Sequence, residues 1–488
     1  MTLSLTDPNL LKNACYIDGQ WVASDAGKAF PVYDPASGEV LAEVADLGAD
    51  ETRRAIEAAE RAMQDWKARP AKERANLLRK WYDLIMANQE DLAVLMTSEQ
   101  GKVLAESRGE IAYAASFIEW FAEEARRVYG DIVPLPQMDR RGVVIKQPVG
   151  VVGAITPWNF PAAMITRKAG PALAVGCTIV IKPAKETPLS ALALAELADR
   201  AGIPAGVINV VCGSSSRAIG GEMTGNPSVR KLTFTGSTPV GKELVKQCAE
   251  TVKKVSMELG GNAPVIVFDD ADLDAAAVGA AASKYRNSGQ TCICVNRVLV
   301  QDSVYDEFVE KFTGVVNGFK IGNGLDESVT HGPMVNAGAA RDVHAMVEQA
   351  VASGARAVVG GEIDAMGECF YQPTILTDVT DSMRVFREEI FGPVAPIFKF
   401  STEEEAIAMA NDTEFGLASY IYTRDIGRVW RVSEGIEYGM VGVNETAITS
   451  DIIPFGGVKE SGLGREGSKY GVEDYLETKY ICMGGLDS

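Results

Sequence analysis

Along residues 50–69 the apolar positions Ala55, Ala58, Ala59, Ala62, Met63 and Trp66 recur three and four apart. That spacing makes one helical face, with Asp50 as its predicted N-cap. Residues 71–102 continue in the same texture, and Gly101 is the predicted stop. From about Val143 the pattern changes to short β-branched runs alternating with helical ones. "GVVGAITP" reads as a strand, "MITRKAGPALAVG" as a helix and "CTIVIKP" as a strand. "TPLSALALAELADRAGIP" reads as a helix with Thr187 as N-cap, Pro188 in the first turn and Gly202 at the end. "GVINVVCG", "SRAIGGEMTG" and "VRKLTFTGS" carry the rhythm on as strand, helix and strand. Such alternation predicts an α/β fold around a parallel sheet of the nucleotide-binding kind.

A second strand-helix series starts at "APVIVFDDADLDAAAVGAAASKY". It runs through "NRVLVQDSVYDEFVEKF", "ARAVVGG", "YQPTILTDV" and "GPVAPIFKF" and predicts a second α/β unit. The amphipathic stretch "RRGVVIKQPV" between the helical and sheet regions predicts an exposed hairpin used in assembly. At 488 residues the chain exceeds what one hydrophobic core usually serves, which agrees with two units.

Apolar content of 47% and charged content of 23% are ordinary for a soluble globular protein. A net charge of −19 argues against nucleic acid or an anionic membrane surface as partner. No stretch approaches the ~18 apolar residues of a membrane span, and "MTLSLTDPNL" lacks the basic start and apolar run of a leader. A cytoplasmic location is therefore expected. Eight scattered cysteines read as reduced thiols, and two histidines are too few for a histidine-based metal site. The close pair Cys292 and Cys294 has no second pair to complete a zinc site, so no metal is expected.

Four segments carry chemistry-bearing residues in unusual settings. In "GQTCICVN", Cys292 reads either as a small buried residue or as a nucleophile in a polar turn. In "MELGGNAP", Glu258 reads either as a solvent-facing acid or as a general base at a strand end. "TPWNFP" fixes Trp158 and Asn159 between prolines, as a rigid turn or as an amide donor for an oxyanion. In "FTGSTPVGKEL", Gly236 and Ser237 precede a helix whose first N–H groups suit a phosphate.

In chain order, "TPWNFP", "IKPAKETP", "FTGSTPVG", "MELGGNAP", "GQTC", "EEIFGPV" and "PFGGVKESGLGREGSKYG" resemble the NAD(P)-dependent aldehyde dehydrogenase family. The resemblance runs from "YIDGQWV" to "YLETKYIC". The stretches "AASFIEWFAEEARRVYGD", "PAAMITRKAGPALAVGCT" and "YRNSGQTCICVNR" look like its succinate-semialdehyde dehydrogenase branch. It implies a nucleotide-binding domain over residues 1–130 and 151–262 and a catalytic domain over 263–440. Oligomerisation elements at 131–150 and 471–488 and a substrate-tunnel and linking segment at 441–470 are also implied. A homodimer or homotetramer is expected.

The same resemblance assigns roles. Cys292 is the nucleophile, adding to the aldehyde carbon to form a thiohemiacetal and then a thioester. The Asn159 amide and the Cys292 N–H hold the oxyanion, Glu258 activates the hydrolytic water and Lys168 tunes that base. Lys182 and Lys185 flank the adenosine ribose of the cofactor. Gly236 and Ser237 face its pyrophosphate, with Val240 on the helix that follows. Thr156, Pro157, Trp158, Phe234 and Leu259 line its site, and Glu389 and Phe391 hold the nicotinamide-side ribose. Members preferring NAD often carry glutamate at the position of Lys185, whereas a lysine offers charge to a 2′-phosphate. NADP is therefore the expected preference, with NAD possible.

Arg167 and Arg286 match arginines that grip a substrate carboxylate. Thr449 or Ser450 supply hydroxyls beside them, and Phe160 and Phe455 line the tunnel. The substrate expected is a small ω-carboxylated aldehyde, succinate semialdehyde first, with glutarate or 2-oxoglutarate semialdehyde as alternatives. A catalytically dead structural or binding homologue and a CoA-acylating dehydrogenase are the rival classes. Cys294 reads as a core residue or as a redox partner for Cys292; residues two apart bridge only with strain.

Overall fold

In the computed structural model, which describes residues 3–486, the alternating runs become two separate sheets. Five parallel strands form the middle of the first. Their spatial order is Lys254–Glu258, Val229–Thr235, Val151–Ile155, Thr178–Lys182 and Ile208–Val210. Antiparallel strands close the edges: Gly462–Leu463 beside Lys254–Glu258, and the pair Cys15–Ile17 and Gln20–Val22 beyond Ile208–Val210. The chain starts at Val151–Ile155, moves outward through two strands, then returns to lay Val229–Thr235 on the other side. The order therefore reverses between Val151–Ile155 and Val229–Thr235, and a ligand crevice is expected at the carboxyl ends of those two strands.

The second sheet has the order Arg356–Val359, Thr374–Thr377, Val394–Phe400, Val295–Gln301, Ala263–Val267, Ala418–Tyr422 and Met440–Val443. Only Arg356–Val359 runs antiparallel. Each sheet has its own apolar interior, one around Val152, Ile179 and Leu232 and the other around Val265, Val298 and Tyr420. Both are covered on two faces, which is why their strands read as unbroken apolar runs.

The predicted helices and strands of residues 150–400 are present, with Gly101 ending its helix at a φ of 90°. Three details differ. The first helix spans Ala49–Ala68 and its N-cap is Gly48, not Asp50. Glu51 wins the terminus by accepting the Gly48 N–H at 3.0 Å, while Asp50 pairs with Arg53. Thr187 stands at the N-cap of Pro188–Arg200, but its hydroxyl makes no capping bond. The buried Glu99 instead accepts the N–H groups of Leu189 at 2.7 Å and Ser190 at 2.8 Å. Finally, Arg141–Pro148 is only one arm of the hairpin: Asp131–Val133 is the other arm, and Leu476–Met483 pairs along the far side. Local pattern cannot name a partner more than 300 residues away in the chain. Among the described residues no helix is long and apolar enough to cross a membrane.

Candidate active site

The strand order brings four loops to one edge. Val151–Ile155 runs into Thr156–Phe160, Val229–Thr235 into Gly236 and Ser237, and Lys254–Glu258 ends on Glu258 itself. The second sheet adds the loop between helix Leu273–Tyr285 and strand Val295–Gln301, which holds Cys292. A cavity of about 310 Å³ lies where they meet, lined by Trp158, Asn159, Gly236, Cys292, Glu389 and Phe391 among others.

The nucleophile loop is held in an unusual backbone. Asn287 and Ser288 have φ of 50° and 54°, and Gly289 follows at 75°. Such left-handed residues cost about 1–3 kcal/mol each for non-glycines and persist only when surroundings fix them. Here the Asn287 N–H donates to the Glu106 carboxylate at 3.0 Å, and the Ser288 hydroxyl donates to the Gly332 carbonyl at 2.7 Å. A side chain at Gly289 would put its Cβ 2.2 Å from the Gly392 carbonyl oxygen, so only glycine fits. Gln290 ties the loop down through the Val335 N–H, accepted at 2.9 Å. Cys292 emerges half-buried, and burial pushes its thiol up, with Glu389 adding to the effect, Arg167 opposing it and Glu258 adding again. A thiol so placed needs a base before it attacks.

Asn159 sits against that loop. Its side-chain amide donates to the Gln290 carbonyl at 3.0 Å, and its own carbonyl accepts from Asn287 Nδ2 at 3.1 Å. The same carbonyl accepts from Lys102 Nζ at 2.9 Å. Lys102 is fully buried in an ion pair with Glu110, which also takes the N–H groups of Ala162 and Ala163. The frame that aims Asn159 is thus Lys102, Glu110 and Asn287. Sequence reading missed all three, because "SEQGK" looks like an ordinary exposed helix end and only burial reveals the lysine.

Glu258 is buried, and its Oε2 has no protein partner. Burial raises its carboxyl well above the ordinary value and the neighbouring Glu466 raises it further, against the pull of Arg167, Lys168 and Arg465. Lys168 Nζ donates to Thr235 Oγ1 at 2.6 Å and to Glu466. Glu466, another residue missed in the sequence, is held below the usual range: burial alone would raise it, but Lys168 and Arg167 overcome that.

The predicted clamp divides. Arg167 is buried with Nε 2.9 Å from Glu466 Oε2 and its guanidinium 3.9 Å above the Phe455 ring. It is therefore paired with an acid, although its Nη2 has no hydrogen-bond partner. Arg286 has no acidic group within 4 Å among the described residues and lies 5.1 Å from the Phe160 ring. It lines a second cavity, of about 290 Å³, with Thr291 and Ile293 from the two sides of Cys292. Thr449 lies near the Tyr113 phenol, whose buried hydroxyl has no partner, whereas the Ser450 hydroxyl turns to Asp451 at 3.0 Å. Ser450 is thus engaged with the neighbouring acid.

The cofactor candidates fall into two groups. Ser237 is the N-cap of helix Thr238–Ala249, and no side chain caps the first N–H groups there. Gly236 packs its Cα against Phe234, where a Cβ would come within 2.4 Å of the ring. Val240 lines a groove of about 710 Å³ with Gly220, Gly221, Thr224 and Leu244. On the other side, the Glu389 carboxylate accepts the Gly261 N–H at 3.0 Å, and burial pushes it up to about 7. Phe391 holds a φ of 51°, with its ring at right angles to Trp158. Leu259 is buried beside them, its N–H bonded to the Ser461 carbonyl. Thr156 lies at the same strand ends with its buried hydroxyl unpartnered, and Pro157 lines the 310 Å³ cavity. Lys182 is buried, its amine bonded to the Pro183 carbonyl at 3.1 Å, while Lys185 is exposed and 4.0 Å from Glu186. An uncapped helix start with a cavity on each side, and an orphan hydroxyl nearby, fit a dinucleotide.

All eight cysteines are free. Cys294 points into the loop, its thiol 3.3 Å from the Gly289 carbonyl and 3.8 Å from the buried Lys284 amine. Among the described residues no group of three acids, histidines or cysteines could hold a metal.

The family model for the aldehyde dehydrogenase family matches residues 21–481. The chain belongs to the aldehyde dehydrogenase family. Among curated relatives of this dehydrogenase, a glutarate-semialdehyde dehydrogenase from Pseudomonas aeruginosa is 61% identical over 484 residues, spanning 99% of this chain and all of the relative. An NADP(+) succinate-semialdehyde dehydrogenase from Escherichia coli is 60% identical, again over 99% of this chain and all of the relative. A crystal structure of an NADP-dependent enzyme from E. coli superposes with a TM-score of 0.98 at 60% identity, covering 99% of this chain and 100% of that one. The dehydrogenase has the α/β fold of that structure.

Proposed function

We propose that this aldehyde dehydrogenase oxidises a short aldehyde bearing a carboxylate at its far end, with succinate semialdehyde as the preferred substrate and NADP as the preferred acceptor. The observation that carries the reading is Arg286: a guanidinium with no acid within 4 Å among the described residues, the buried Glu106 acting on it only from farther off, in a cavity that opens on the nucleophile loop. The unpartnered Nη2 of Arg167 and hydroxyl of Tyr113 add donors that a carboxylate would satisfy. Glutarate semialdehyde is the second reading, favoured by the P. aeruginosa relative. One more carbon shifts binding by only about 1–3 kcal/mol.

In this reading Cys292 Sγ bonds to the aldehyde carbon. The negative charge on oxygen is met by the Asn159 amide, held in place by the Lys102–Glu110 pair behind it. A bound nicotinamide supplies the hydride acceptor. Glu258 then takes a proton from the water that opens the thioester. Arg167 and Lys168, paired with Glu466, keep positive charge near that base without neutralising it directly.

Initial rates at 340 nm with succinate semialdehyde, glutarate semialdehyde and butyraldehyde test the substrate. A preference for the four-carbon acid is expected, and equal rates with butyraldehyde would exclude a carboxylate grip. Arg286→Ala is expected to raise KM for succinate semialdehyde by about 10- to 100-fold, the worth of a charge-assisted hydrogen bond, and leave butyraldehyde unchanged. Lys185→Glu is expected to raise KM for NADP by a similar factor, about 10- to 100-fold, while sparing NAD. An unchanged NADP to NAD ratio would show that Lys185 only meets solvent.

A further inference from the structure

The two close cysteines line different cavities. Cys292 lines the cavity of about 310 Å³ between the sheets, and Cys294 lines the one of about 290 Å³ beside Arg286. Cys294 Sγ lies 3.8 Å from Lys284 Nζ and 3.3 Å from the Gly289 carbonyl. Lys284 stands in the last turn of helix Leu273–Tyr285, and Cys294 immediately precedes strand Val295–Gln301. Further bonds hold these ends in place. The Ser283 hydroxyl accepts the Val295 N–H at 3.2 Å, and the Cys294 N–H donates to the Thr291 carbonyl at 3.0 Å. The amine and the thiol therefore bracket the loop that carries Arg286 and Cys292.

Lys284 is fully buried. Among the described residues no acid lies within 4 Å of it, its hydrogen-bond partner is the Cys294 thiol, and Glu389 acts only from farther off. Buried lysines are ordinarily paired with a charge, so this contact is unusual. Burial pushes the Lys284 ammonium down, against Cys294 and Glu389, and pushes the Cys294 thiol up, against Lys284. Amine and thiol thus meet as neutral groups, and a desolvated neutral amine is the nucleophilic form of lysine.

We propose that hydrogen peroxide entering the cavity beside Arg286 joins Lys284 and Cys294 by a nitrogen–sulfur bond, and that this link switches the enzyme off reversibly. In the first step the thiol proton passes to the Lys284 amine as sulfur attacks one peroxide oxygen. The O–O bond breaks, and the departing hydroxide takes the proton back from the ammonium as water. Sulfur has lost two electrons and peroxide has gained them, leaving a sulfenic acid. In the second step the Lys284 nitrogen attacks that sulfur. The S–O bond breaks, and the hydroxide leaves with one N–H proton as a second water. Two molecules of an external thiol reverse the link, returning amine and thiol and leaving as a disulfide. A covalent N–S bond is far shorter than the 3.8 Å contact, so Cys294 must leave the Gly289 carbonyl and the loop must shift. A displacement of about 1 Å at a reacting group costs on the order of 10²-fold in rate. The link itself needs no role for Cys292; its effect on activity rests on the reading of Cys292 as nucleophile.

The test treats full-length Cys292→Ala with a small excess of hydrogen peroxide, removes the excess with catalase, and maps the unreduced tryptic digest by mass. Without Cys292 no disulfide can form inside the loop. The expected product is a cross-linked pair, residues 255–286 with residues 287–297, two hydrogens lighter than the separate peptides and uncut after Lys284. Dithiothreitol should release both peptides, and Lys284→Met in the same background should abolish the pair. Normal cleavage after Lys284, with Cys294 unchanged or carried on to the sulfinic acid, overturns the proposal. So does a parent enzyme in which the two hydrogens are lost within residues 287–297 alone. In the parent, the linked fraction should oxidise aldehyde about 100-fold more slowly. Dithiothreitol should restore activity in step with loss of the link. Full activity at full linkage overturns the switch. Full activity of untreated Cys292→Ala would instead overturn the reading of Cys292 and leave the mapping intact.

Discussion

Cys292→Ala is expected to lower aldehyde oxidation by roughly 10³-fold or more, because no other group near the cavity can form the covalent intermediate. The thiol lines the cavity between the two sheets, on a loop whose left-handed residues are pinned by Glu106, Gly332 and Val335. Cofactor affinity, measured by fluorescence titration, should stay within a factor of about two, since the substitution removes one atom and no charge pair. Cys294→Ala is the matched control. Its thiol faces the Gly289 carbonyl and Lys284 inside the loop, so the variant should keep substantial activity. Equal losses at both cysteines would mean that the loop's integrity, and not the Cys292 thiol, was being measured.

Glu258→Gln is expected to separate the two halves of the reaction. Reduced cofactor should appear in a first-turnover burst, and the steady state should then fall by about 10²–10⁴-fold, the usual worth of a general base. Mass spectrometry of the stalled protein should find the acyl group on Cys292. In the parent enzyme the base works only when ionised. Because burial and Glu466 raise its carboxyl well above the ordinary range, hydrolysis should quicken as pH rises through that raised value. A flat pH profile, or a variant that loses the burst and the steady state in equal measure, would remove Glu258 from the hydrolytic step.

Much of this was legible in the chain. Alternating apolar runs show two α/β units because each strand is buried on both faces, and a long segment of such runs has few other solutions. The dipeptide glycines and the prolines around Asn159 mark tight turns because few residues tolerate them. Local reading failed where a distant residue competes for a local group. Glu99 caps the helix that Thr187 begins, and the C-terminal strand pairs with Arg141–Pro148. The same failure affects the charges. Arg167 and Arg286 look alike in sequence, yet Glu466, almost 300 residues away, pairs with the first, while the second has no acid within 4 Å among the described residues.

The sequence by itself determined the family, the order of strands and helices, and which residue types meet at the strand ends. Covalent spacing and side-chain polarity are enough for that. Tertiary structure decided which charges are spent and which are available. It alone showed that Lys102 and Glu110 brace Asn159 and that Glu466 engages Arg167 and Lys168. The reason is physical. A buried charge takes its energy from whichever partner the fold places within a few ångströms, and that partner has no fixed distance along the chain.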